Sequence, residues 1–88
     1  MPTIRFSSRF TKAYAKLPPH LQHKIDKALR LLANDPRHPS LQTKPVQSAR
    51  GVYEARVDQS YRLTYERLPG DILKLRVVGR HDETLKNP

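Results

Sequence analysis

The sequence predicts an α+β domain of two layers: an antiparallel sheet with an N-terminal αα-hairpin packed on one face, in the order β-α-α-β-β-β. Three observations lead there. Between residues 8 and 34 the apolar residues recur every three or four positions, and Pro18-Pro19 breaks that run in two. From residue 52 onward the period changes to two, in three segments joined by short links rich in turn residues. The chain is 88 residues long, enough for a single domain, residues 1–88, around one thin core.

Each element has its own warrant. Residues 3–6, "TIRF", alternate weakly and predict a short strand. Ser7 or Ser8 can cap the helix that follows, in which Phe10, Ala13, Tyr14 and Leu17 share a face. Pro18-Pro19 ends it, because proline lacks the N–H and clashes with the preceding turn; Pro19 also suits the first position of a second helix. In that helix Leu21, Ile25, Ala28, Leu29 and Leu32 form one apolar stripe, and Asn34-Asp35-Pro36 stops it. "RHPSLQTKPVQSARG" reads as an irregular connection with a short edge segment near Leu41 to Val46. "VYEARV", "YRLTYE" and "ILKLRVV" then predict a meander through Asp58-Gln59-Ser60 and Leu68-Pro69-Gly70-Asp71. Tyr53, Ala55, Val57, Tyr61, Leu63, Tyr65, Leu73, Leu75 and Val77 are expected on the face covered by the helices. Val78 is expected on the other face, which is left open to solvent.

Composition narrows the class of partner. Seventeen Lys and Arg against eight Asp and Glu give a formal charge of +9 and a pI near 10.4, a field that favours polyanions. There is no Cys, which excludes disulfide and thiolate metal sites and makes a reducing cytoplasm the simplest compartment. "MPTIRFSSRF" has no uninterrupted apolar region, so no signal peptide is expected. No apolar run approaches the ~20 residues of a membrane span.

The open face gathers the chemistry. Arg56 and Arg62 fall on adjacent strands near one hairpin, and Lys74, Arg76 and Arg80 come from the third strand. With strands about 4.8 Å apart, these groups can converge on one surface. An arginine fork donates two parallel hydrogen bonds to phosphate and keeps its charge, and such a cluster can stabilise a phosphoryl transition state. The alternative is an ordinary solvated sheet face, with Glu54, Asp58 and Glu66 neutralising the cations locally. His81 follows Arg80 where the third strand ends, beside Gly79, and an imidazole exchanges protons near neutral pH. His20, His23 and Asp26 share a helix face, but helix-start and solvent roles explain them equally well, so no metal site is assigned. No P-loop, GxGxxG or nucleophile elbow occurs.

The hairpin "YEARV…YRLTYE", the strand ending in "VGRHDE" and the proline-broken helical pair resemble the RelE/ParE superfamily of type II toxins over nearly the whole chain. The resemblance implies a cytoplasmic toxin paired with a small antitoxin. It implies, on the RelE-like branch, a ribosome-dependent mRNA endonuclease that works in the A site without metal or other cofactor. In that mechanism the substrate's 2′-OH attacks the adjacent phosphate. Carried over, the resemblance gives Arg62 the phosphate charge, makes His81 beside Arg80 the general acid, and offers Glu54 as a general base. Arg56 would orient RNA, and Lys44, Lys74 and Arg76 complete the expected RNA-binding set. A base-stacking tyrosine near the C-terminus of several members is missing here; Leu85 or Asn87 stands there, with no terminal helix expected. Two further readings remain: a ParE-like toxin that binds DNA gyrase without chemistry, and a degenerate member that binds only antitoxin or RNA.

Overall fold

The computed structural model describes residues 1–88. The chain runs β1 (Thr3–Phe6), α1 (Ser8–Ala15), α2 (Pro19–Asn34), a 3-10 turn (Pro39–Leu41), β2 (Lys44–Pro45), β3 (Val52–Arg56), β4 (Tyr61–Leu68), β5 (Ile72–Arg80) and α3 (His81–Lys86). One five-stranded sheet has the order β1-β5-β4-β3-β2. The helical hairpin covers one face of it, so the two-layer α+β architecture stands.

The helix ends follow from local chemistry. The Ser7 hydroxyl accepts from the Phe10 N–H at 3.1 Å, capping α1. It also donates to the Arg76 carbonyl at 2.9 Å, which ties the start of the helix to β5. Pro18 and Pro19 occupy the cap and first position of α2, where a missing N–H costs nothing. Leu21, Ile25, Ala28 and Leu32 are its buried face. Ile25, Ala28 and Leu32, with Phe10 of α1 and Leu41 of the 3-10 turn, pack on Ala55, Leu63, Tyr65, Leu73, Leu75 and Val78 of the sheet. The β4–β5 turn places Gly70 and Asp71 at φ 83° and 58°, the paired positive values of a tight hairpin turn.

Three features differ from the sequence expectation. The sheet is mixed: β1 pairs with β5 in parallel, Thr3 opposite Ile72 and Phe6 opposite Leu75, while the other pairs are antiparallel. Next, Tyr65 pairs with Leu75 but Thr64 pairs with Val77, which leaves Arg76 as an extra residue in β5. A bulge of this kind reverses the facing of everything beyond it. Val78, not Val77, therefore enters the core. Finally, "HDETLK" is a helix, and it lies over part of the face expected to be open. A Cβ on Gly79 would meet Thr84 Cγ2 at 3.7 Å, and Thr84 is buried. Asp82 and Glu83 stand in the first turn of α3 and Lys86 in the last, the arrangement the helix dipole favours. Beyond it the Pro88 carbonyl accepts from Thr64 Oγ1 and Arg76 Nε, each at 3.0 Å.

Candidate active site

On the sheet face turned away from the helical hairpin, register builds two adjoining rows. Glu54 sits opposite Thr64, and Thr64 opposite Val77; Arg56 sits opposite Arg62, and Arg62 opposite Gly79. The arginine pair meets at a single acceptor. Arg56 Nε donates to the Asp58 carbonyl at 3.4 Å, and Arg62 Nη1 donates to the same oxygen while also reaching the Tyr61 carbonyl at 3.0 Å. Both guanidiniums are thus gathered at the β3–β4 turn, half-buried, with donors to spare.

Asp58 organises that turn. Its Oδ1 accepts from the N–H groups of Ser60 and Tyr61 at 2.9 and 2.8 Å, and Lys24 of α2 reaches Oδ2 at 3.2 Å. Burial pushes the carboxyl up, but the two backbone N–H groups and Lys24 outweigh it and hold Asp58 below its ordinary value. Sequence reasoning placed Asp58 in this turn and took its carboxylate as a local counter-charge, without giving it the organising role. The signal available was an acidic residue opening a short turn, a position that hydrogen-bonds its own backbone two residues on.

The second cluster is centred on Glu54, which is only 2% exposed. Lys44 Nζ lies 3.4 Å from Oε1, and His81 Nε2 lies 3.9 Å from Oε2. That separation exceeds a hydrogen bond, and Oε2 is a buried oxygen without a hydrogen-bond partner. Such an atom is costly, and its presence asks for an explanation. His81 is anchored beside the arginines by its own backbone, whose N–H donates to the Ser60 carbonyl at 2.8 Å.

Of the residues singled out from sequence, Arg56, Arg62, Glu54, Lys44 and His81 come together at this end of the sheet. Arg80 does not. It pairs with Tyr61 at the end of β5, and strand alternation puts it on the face opposite Gly79 and Arg62. The bulge, invisible in the apolar pattern, is the reason. Lys74 and Arg76 stay on the outer face but toward its far end: Lys74 pairs with Glu66, and Arg76 Nη1 lies 3.0 Å from Glu66 Oε1. Glu66 is four residues along β4 from Arg62, roughly 13 Å away at strand rise. Asp26, in the histidine-containing helix segment, accepts from the Tyr14 hydroxyl at 2.8 Å. That bond, then burial, raises the Tyr14 pKa above its ordinary value.

The domain is a small α+β fold with a basic hairpin on one sheet face. A family model described as the ParE toxin of the type II toxin–antitoxin system parDE matches residues 4–85, so the chain belongs to that family, within the RelE/ParE superfamily. Among solved structures it is similar to YafQ from E. coli strain BL21(DE3), at 23% identity and a TM-score of 0.74, with 96% of this chain and 98% of that one covered. The RelB–RelE antitoxin–toxin complex from Methanococcus jannaschii gives 21% identity and a TM-score of 0.73 over 96% and 99%. A YoeB/ParE toxin from Agrobacterium tumefaciens gives 14% identity and a TM-score of 0.72 over 90% and 98%. At these identities the likenesses establish the fold. No curated protein matches the sequence. No helix is long and apolar enough to cross a membrane.

Proposed function

We propose that the chain is a RelE-like toxin that cleaves mRNA at the ribosome without a metal, and that a cognate antitoxin holds it in check in the cytoplasm. The observation that carries this reading is the convergence of Arg56 and Arg62 on one carbonyl oxygen next to the His81–Glu54 pair. In the proposed reaction the 2′-oxygen bonds to the adjacent phosphorus as the bond to the 5′-oxygen breaks. The 2′ proton passes to water, and protonated His81 delivers one to the departing 5′-oxygen. Arg56 and Arg62 exchange the Asp58 carbonyl for phosphate oxygens and balance the added negative charge. Glu54, offered from sequence as a general base, lies too deep to touch substrate as it stands. We give it the positioning of His81, as the carboxylate that faces the protonated imidazole, with Lys44 on its other oxygen. Lys74 and Arg76 bind RNA further along the face, and Arg80 is left without a role at the phosphate.

The test is expression in cells with primer extension on a reporter mRNA. Arg62→Ala is expected to lower cutting by about 10²–10³-fold, the loss typical of one preorganised charge donor, and His81→Ala to abolish it. Intact mRNA together with supercoiling defects would instead support a ParE-like gyrase inhibitor, and the family model matched is that of a ParE toxin.

A further inference from the structure

A groove of about 280 Å³ lies between α2 and the β3–β4 turn. Lys24, Lys27, Ala28 and Leu31 of α2 form one wall, a stripe at helical spacing. Arg56, Val57 and Asp58 form the other. Three cations thus face one acid. That acid is already engaged: Asp58 Oδ1 holds two backbone N–H groups, and its partner Lys24 is an exposed ion pair at 3.2 Å. Exposed pairs of this kind hold weakly, so the Lys24 ammonium can trade Asp58 for a phosphate at little cost. Lys27 has no acidic partner within ion-pair distance; the four ion pairs of the chain involve Lys24, Lys44, Arg76 and His81. Arg56 belongs both to this groove and to the pair at the Asp58 carbonyl, so it is shared by the two surfaces.

We propose that this groove binds the sugar-phosphate backbone of single-stranded RNA, with Lys24 and Lys27 taking phosphates beyond the one held by Arg56 and Arg62. The strand would then pass around the β3–β4 turn from the outer face of the sheet to the helix side. Val57 and Leu31 supply an apolar floor for a ribose. The choice of RNA rests on the proposed function; the groove itself requires binding, not cleavage.

The experiment uses the purified full chain and a short single-stranded RNA carrying 2′-O-methyl groups throughout, so that binding is read without cutting. Each phosphate contact contributes about 0.7 to the slope of log affinity against log salt. The double variant Lys24→Gln/Lys27→Gln is expected to lower that slope by about 1.4, whereas Lys12→Gln/Lys16→Gln on α1 leaves it unchanged. An unchanged slope in the groove variant, an equal drop in the α1 variant, or no binding by the wild type overturns the proposal. So does an equal loss of affinity for polyglutamate, which would mean attraction by charge alone. Failure of the cleavage reading looks different: reporter mRNA stays intact while the salt slope still depends on Lys24 and Lys27.

Discussion

One face of the central sheet is closed to water and the other is covered in part, and the two are covered by different physics. On the inner face Ala55, Leu63, Tyr65, Leu73, Leu75 and Val78 meet the apolar stripes of α1 and α2, and the gain scales with the area removed from water. On the outer face the Pro88 carbonyl accepts from Thr64 and Arg76, and Lys44 pairs with Glu54, polar contacts that depend on direction. The inner face could be filled by many apolar combinations. The outer face keeps a buried carboxylate with one oxygen unpaired, which packing alone would never select. That costly group lies on the side where the proposed function puts the chemistry.

Substitutions across the two faces separate these contributions. Leu63→Ala, at a fully buried inner position, is expected to cost about 2–5 kcal/mol through lost transfer energy and the cavity left behind; denaturant unfolding measures it. Thr64→Val keeps the shape of its outer neighbour but removes the donor to Pro88, and should cost about 1 kcal/mol. Because Arg76 still holds that carbonyl, the loss should appear as faster proteolysis after α3 rather than as global unfolding. Glu54→Gln reverses the sign. Its partners Lys44 and His81 are both partly exposed, so no charge is stranded when the carboxylate goes, and the variant should match or exceed wild type by up to about 1 kcal/mol. A fall of several kcal/mol in its unfolding free energy would mean that Glu54 is structural and remove its assignment to His81. Smallest is Asp58→Asn, which keeps an acceptor for the turn and loses the charge to Lys24, worth about 0.5 kcal/mol. Asp58 has a folded pKa below its unfolded one. Its contribution is therefore complete above the unfolded value of about 3.9 and lost as pH falls through the folded value. The stability gap between wild type and Asp58→Asn should be full near neutral pH and close in acid.

The inner face was readable from the amino acids because its signal is periodic. Helical spacing gave α2 its buried set, and period two gave Ala55, Leu63, Tyr65, Leu73 and Leu75 their direction. The outer face was readable only where register, not pattern, decides: Arg56 and Arg62 sit in adjacent strands and end up directly opposed. Several features were hidden. Val77-Val78 is apolar at both positions, so alternation says nothing about a bulge at Arg76, and Arg80 was assigned to the wrong side as a result. α3 carries no apolar stripe; its one buried residue is Thr84 and its leucine, Leu85, is exposed. A helix held by hydrogen bonds and end charges leaves little trace in hydrophobic spacing. Nor could spacing announce that Glu54 is buried, since the groups against it, Lys44 and His81, come from segments on either side of it in the chain.

The parallel pairing of β1 with β5 carries a consequence for how the protein is made. The first strand has its only sheet neighbour some seventy residues downstream, and Ser7, which starts α1, waits for the carbonyls of Leu75 and Arg76. Closing so long a loop is entropically slow, and it cannot begin on a ribosome until β5 has emerged. The N-terminal strand therefore stays unpaired through most of synthesis, and the basic face is assembled only after β5 has been made. During that interval the nascent chain exists without its basic face.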